Sequence, residues 1–249
     1  MSPPSNPTAR QTRIYTDQAL STGQSIVLSP EAAKHLIKVL RRQVGDEVVL
    51  FNGDGLNYSG ELTEISSKAH CEIQLKEAEP SAVESPIGVH LIQAIARGER
   101  MDWVIQKAVE LGVREITPVF SERVGVKLDP ARATQRQKRW QTIVLSACEQ
   151  SGRATIPQVH APMALTDWRP RPEGSAFFLD PQASNRLIDQ AQPSTCELVV
   201  GPEGGLSPAE CEDLSRQGLT GIRLGARVLR TETAGVAALA AIQTLWGDF

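Results

Sequence analysis

Three observations predict an α/β protein in two parts. From about residue 87 onward, apolar strand-like runs alternate with helical patterns. Residues 13–78 carry mainly strand and turn signals, and the stretch between is rich in proline, serine and glutamate. Strand–helix alternation implies a mostly parallel sheet with helices on both faces, here preceded by a small β-rich module. The 249 residues suffice for one large domain or two ordinary ones with a sizeable core. With 41% hydrophobic but only 4% aromatic residues, that core must be mainly aliphatic. Lys+Arg 26 against Asp+Glu 29 leaves a formal charge of −3, which excludes a uniformly basic protein but not a local basic patch. No apolar run reaches the roughly 20 residues of a membrane helix. The first dozen residues also lack a signal-peptide core, so a cytoplasmic location without membrane contact is expected. Cys71, Cys148, Cys196 and Cys211 are scattered and form no metal-binding spacing with one another or with His35, His70, His90 and His160. They read as buried thiols, with no metal and no disulfide.

In chain order, residues 1–12 are expected to be extended or disordered, and the β-rich module begins near Arg13. A helix over residues 31–41 is predicted, capped by Ser29 with Pro30 in its first turn. Strands over 47–51 and 57–63 flank Asn52-Gly53-Asp54-Gly55, which is hairpin turn chemistry, and 70–75 supplies another strand. Residues 76–86, KEAEPSAVESP, lack apolar periodicity and read as a linker, with the break between domains placed at 79–86. The second domain, 87–249, has strand-like runs at 89–95, 113–119, 176–179, 197–200 and 221–224. Between the first two, Met101, Val104, Ile105 and Ala108 share a helical face, and Gly112 stands where a C-terminal stop belongs. Parallel sheets bind ligands at the carboxyl ends of their strands, so function is sought in the loops there.

Two such loops stand out. In LVVGPEGGLSPAE (198–210) a buried strand runs into three glycines, then a helix start with Ser207 as cap, Pro208 in the first turn and Glu210 completing a capping box. Glycines let a ligand lie against backbone N–H and C=O groups. The loop lacks both the Walker A ending and the Rossmann spacing, and Glu203 would repel a polyphosphate, so a ligand without phosphate fits better. In RLGARVLRTETA (223–234) another strand ends at a glycine before an Ala-rich helix running to about Trp246. Arg227 and Arg230 sit there against the preference of the helix dipole, which points weakly to an anionic or polar partner.

GPEGGLSPAE followed by LGARVLRTETA resembles the paired C-terminal motifs of the SPOUT (α/β-knot) methyltransferases, and more narrowly the RsmE family of 16S rRNA uracil-N3 methyltransferases. HLIKVLR (35–41), ERMDWVIQKAVELGV (99–113) and ACEQSGR (147–153) are similar to that family too, so the likeness spans the chain from Arg13. The resemblance implies a PUA-like RNA-binding module over 13–78 and a knotted catalytic domain. It also implies a homodimer, and as substrate 16S rRNA within the small ribosomal subunit or a late precursor. The cofactor it implies is S-adenosylmethionine, held by Leu179, Val200, Gly201, Pro202, Glu203, Gly204, Leu224, Gly225, Val228, Leu229, Arg230, Thr231 and Ala234.

For that chemistry, uracil N3 must lose its proton before it can attack the activated methyl group, and no metal is required. Arg230 is nominated to stabilise the uracil anion, with Glu232 or Glu203 orienting it or accepting the proton. Lys34, Lys38 and Arg42 recur every four residues opposite Ala33, Leu36, Ile37 and Leu40. With Arg10, Arg13, His35, Arg41, Arg97 and Arg153 they form the expected RNA footprint. Arg132, Arg136 and Arg139 form another basic stripe, which reads equally well as a solvated face. Three rival readings stand beside this one: a non-catalytic RNA-binding assembly factor, a nucleotide-phosphate enzyme using GPEGG as an anion loop, and a SPOUT enzyme acting on tRNA or on a ribose 2′-hydroxyl.

Overall fold

The computed structural model describes residues 11–125 and 129–249. It divides into two compact units, one of residues up to 84 together with 148–156, the other of residues 85–147 and 157–249. Among the described residues no helix is long and apolar enough to cross a membrane.

The first unit contains β1 (Arg13–Tyr15), β2 (Ser25–Val27), α1 (Pro30–Lys34), β3 (Glu47–Phe51), β4 (Leu56–Ser67) and β5 (His70–Pro80). The sheet order is β1-β3-β4-β5-β2, with β1 parallel to β3 and the other pairs antiparallel. The turn at 52–55 works through its own side chains: Asn52 Oδ1 accepts the Asp54 N–H at 3.1 Å and Asp54 Oδ1 the Leu56 N–H at 2.9 Å. Ile14, Ile26, Leu36, Leu50, Leu62 and Ile73 fill the core.

Two expectations for this unit need correction. Residues 76–80 are strand: β5 runs to Pro80 and pairs Ser59 with Glu77 and Leu56 with Pro80. This stretch is exposed, so backbone pairing holds it and there is no apolar face for periodicity to reveal. The helix expected over 31–41 starts as predicted, with Ser29 Oγ accepting the Ala32 N–H, but α1 ends at Lys34. A wider π turn, His35–Val39, replaces its second half, and Leu40 N–H reaches back to the His35 carbonyl at 3.0 Å. Arg41 then adopts a left-handed φ of 54°. Beyond the widened turn Arg42 is half-buried, unlike Lys34 and Lys38, and Leu40 is exposed rather than packed inward.

The second unit contains β6 (Gly88–Ala94), α2 (Glu99–Glu110), β7 (Val113–Phe120), most of α3 (Pro130–Ser151), β8 (Gln158–Val159), β9 (Met163–Ala164), β10 (Ser175–Leu179), β11 (Thr195–Val200), α4 (Pro208–Arg216), β12 (Thr220–Ile222) and α5 (Thr231–Trp246). The strand order is β12-β10-β11-β6-β7-β8, with β9 also on β7, and every pairing is parallel. All seven residues of β6 are buried, as a strand covered on both faces requires. On one face Ile92, Phe178 and Val199 pack with Leu214 of α4. Their alternates face α5, Gln93 bonding Thr231 and Phe177 stacking on Trp246. Met101, Val104, Ile105 and Ala108 are the buried face of α2, and Gly112 has the left-handed φ of 80° that stops it.

Toward the starts of the central strands, Glu197, His90 and Glu115 stand side by side in register. His90 Nδ1 meets Glu197 at 3.1 Å, His160 Nε2 meets Glu115 at 2.8 Å, and Arg171 grips both oxygens of Glu115 at 2.8 and 2.6 Å. His90, Glu115 and His160 are close enough to suggest a metal site, but each is already engaged, Glu115 by a two-pronged guanidinium. The Arg171 hydrogen bonds, aided by His160, outweigh burial and hold the Glu115 carboxyl at about 2 against an ordinary 4.5. A carboxylate depressed in the folded state adds stability above its unfolded pKa and loses it as pH falls through the folded one. The stability gap between the native chain and Arg171→Gln, from urea unfolding, is therefore expected to hold from pH 7 to 5 and to close between about 4.5 and about 2. A gap unchanged down to the acid end would contradict this.

Candidate active site

The carboxyl ends of β10, β11 and β12 open into a cleft of about 400 Å³, within the roughly 300–1,000 Å³ usual for small-molecule sites. Leu179, Val200, Gly201, Pro202, Glu203, Gly204, Leu224, Gly225, Val228, Leu229, Thr231 and Ala234 all line it. Of the residues singled out for the cofactor, Arg230 alone does not: it is exposed, just ahead of α5, and its side chain makes no capping bond. Asp180, Pro181, Gln182, Ile222 and Arg227 complete much of the wall, and the loop after β10 gave no sequence signal.

Local chemistry shapes the first loop. A side chain on Gly201 would put its Cβ 2.9 Å from the Leu206 nitrogen, so the chain can fold back there only without one. Gly205 takes a left-handed φ of 69° and closes a turn onto the Pro202 carbonyl. Ser207 and Glu210 then form the complete capping box, and the other Glu210 oxygen accepts the Glu122 N–H at 2.8 Å. The second loop joins the first through Thr231, whose buried hydroxyl donates to the Gly201 carbonyl at 2.6 Å. Gln93, fully buried at the end of β6, donates to the same hydroxyl oxygen at 3.0 Å.

Charged groups brace the rim. Glu203 Oε1 accepts the Arg97 N–H and Arg100 Nη1, each at 3.0 Å. Burial pushes this carboxyl up, but the backbone N–H donors and the Arg100 guanidinium together leave it below its ordinary value. Arg100 Nε also lies 3.7 Å from Glu232 Oε1. Arg123 lines the cleft and donates to the Gly204 carbonyl at 3.0 Å. Sequence reasoning missed Arg100 and Arg123, because both act on residues some 80 to 100 positions away. The cysteines divide. Burial pushes the Cys148 and Cys196 thiols up to about 12, whereas Cys211 is half-buried and forms part of the cleft wall.

The expected RNA footprint is not uniform. Arg10 lies outside the described residues. Lys34, His35, Lys38 and Arg41 are exposed on the π turn and its flanks, and Arg42 is half-buried near Asp46. Arg13 and Arg153 turn inward instead. Arg13 Nη1 bonds Asn57 at 2.7 Å and its guanidinium lies over the Phe51 ring, whereas Arg153 is 3% exposed and ion-paired with Glu84 at 2.8 Å. Neither is presented to a phosphate. In the second unit Arg97 is exposed. Of the basic stripe on α3, Arg132 pairs with Asp129 and Arg139 with Asp102, which offsets much of its charge.

Comparisons with known proteins agree with this geometry. The sequence matches the RNA methyltransferase domain over residues 83–243 and the RNA methyltransferase PUA domain over residues 28–76. It is 35% identical to the ribosomal RNA small subunit methyltransferase E of Buchnera aphidicola subsp. Schizaphis graminum, covering 95% of this chain and 97% of that one. Identity to the Bacillus subtilis protein of the same name is 31%, over 91% and 93% of the two chains. Among solved structures, a Legionella pneumophila methyltransferase in complex with bound SAM is similar at TM-score 0.92 and 39% identity, covering 96% of this chain and 100% of that one. Ribosomal RNA small subunit methyltransferase E from Neisseria gonorrhoeae, bound to S-adenosyl methionine, is similar at TM-score 0.90 and 40% identity, covering 96% and 99%. Both units and the cleft thus point the same way, and the chain belongs to the ribosomal RNA small subunit methyltransferase E family.

Proposed function

We propose that this protein transfers a methyl group from S-adenosylmethionine to N3 of one uridine in the 16S rRNA of the small ribosomal subunit. The observation that carries this reading is the cleft itself, in which two successive strand-to-helix loops line one cavity and are joined by the Thr231–Gly201 hydrogen bond. Backbone groups bared by Gly201, Gly204 and Gly225 hold the adenosyl donor. The donor carries its own activation. What the chain must supply is alignment of N3 with the methyl carbon and stabilisation of the uracil anion. Arg230, exposed beside the cleft rather than lining it, faces the nucleotide and not the donor. It stabilises charge on the pyrimidine carbonyl oxygens through charge-assisted hydrogen bonds.

The target uridine is taken unpaired or flipped out, because a paired N3 is occupied. The first unit serves as the RNA-binding module, with Lys34, His35, Lys38, Arg41 and Arg42 as its phosphate contacts and Arg97 as a contact from the second unit. The 201–206 and 223–230 segments belong to the knot of the SPOUT fold. The protein works in the cytoplasm as a homodimer, on the assembled subunit or a late precursor.

Mass-spectrometric mapping of rRNA from cells lacking the protein is expected to show one N3-methyluridine missing from 16S rRNA. An unchanged methylation map would refute the reading. Arg230→Ala is expected to bind S-adenosylmethionine in calorimetry while losing about 100-fold or more in transfer, and near-normal turnover would remove Arg230 from the mechanism. Replacing Lys34, Lys38 and Arg41 with alanine should weaken RNA binding and reduce the slope of log affinity against log salt by about 2 to 3. A slope equal to that of the native chain would exclude them as phosphate contacts.

A further inference from the structure

Glu203 and Glu232 come from the two ligand loops, and the geometry treats them differently. Both hydrogen bonds to Glu203, from the Arg97 N–H and from Arg100 Nη1, fall on Oε1, so this carboxylate tethers its loop to the start of α2. Ionised and doubly bonded, it is a poor proton acceptor. Glu232 follows Thr231, the residue that joins the loops, and sits in the first turn of α5. Its Oε1 lies 3.7 Å from Arg100 Nε. Its Oε2 is buried and has no hydrogen-bond partner among the described residues. A buried carboxylate oxygen without a donor is costly, and a catalytic role is one of the physical reasons for which such an atom is kept. One guanidinium, from a helix that precedes both loops in sequence, is therefore shared by two carboxylates with different tasks.

We propose that Arg100 is a positioning residue that fixes Glu203 as a structural anion and orients Glu232, and that Glu232 Oε2 accepts the N3 proton of the target uracil. This rests on the uracil-N3 reading above. In the step, the N3–H proton passes to Glu232, which becomes a neutral carboxylic acid. The N3 electron pair forms the new N–CH₃ bond as the C–S⁺ bond breaks, and that bonding pair stays on sulfur as the thioether of S-adenosylhomocysteine. Glu232 afterwards releases the proton to water. The charges near Glu232 in this step are Arg100 from α2, Glu203 from the loop after β11, and Arg230 at the entrance to α5.

The test uses the full chain, small ribosomal subunits from cells lacking it, and S-adenosylmethionine, with Kd from calorimetry and kcat and KM from methyl transfer. Glu232→Gln is expected to lower kcat by about 100-fold or more with donor Kd nearly unchanged. Glu203→Gln is expected to act mainly on donor Kd. Arg100→Gln should lower kcat by about 10-fold or more, and Arg100→Lys should restore most of it, which a purely structural role would not do. Near-native kcat in Glu232→Gln, or a kcat loss in Glu203→Gln equal to that of Glu232→Gln, would overturn the assignment of the base. Failure of Arg100→Lys to recover activity lost in Arg100→Gln would overturn the role of Arg100. If the native chain methylates a site other than uracil N3, the parent reading falls, an outcome distinct from native N3 transfer that survives in Glu232→Gln.

Discussion

One short hydrogen bond organises the catalytic unit. Thr231 gives its only hydroxyl proton to the Gly201 carbonyl, and Gln93 satisfies the same oxygen from the end of β6. Those three residues belong to β6, the loop after β11 and the first turn of α5, and Gly201 and Thr231 both line the cleft. Because the bond is buried, it cannot be exchanged for water without leaving polar groups unsatisfied. The glycine at 201 is bound to the same constraint, since the chain approaches Leu206 too closely for a side chain.

What the sequence made legible was local or periodic. The central strands of the second unit are continuous apolar runs because helices cover both faces of their sheet, and the start of α4 is written in the Ser207-Pro208-Glu210 chemistry that caps it. The two glycine loops could be read as ligand loops for the same reason, each following a strand and preceding a helix. All but one of the residues expected to hold the donor line a single cleft.

What escaped had no local signature. Arg100 and Arg123 act on residues brought near only by the sheet, and Arg153 looked like a surface arginine until residues 148–156 joined the first unit and gave it Glu84. Strand β5 outruns its apolar stretch because backbone pairing with β4 needs no buried side chains. The π turn at 35–39 shares its composition with an ordinary helix, so the end of the regular helix at Lys34 could not be read from a four-residue spacing.

The left-handed arginine at the end of that turn carries a consequence for the surface of the first unit. Arg41 holds a conformation that most side chains avoid, and Val39, Leu40 and Val44 around it stay wet rather than packing inward. A tip built this way displays cations and greasy surface together. Exposed cations and exposed apolar side chains therefore alternate along this segment, whereas a plain amphipathic rod would carry its charges and its apolar stripe on opposite sides.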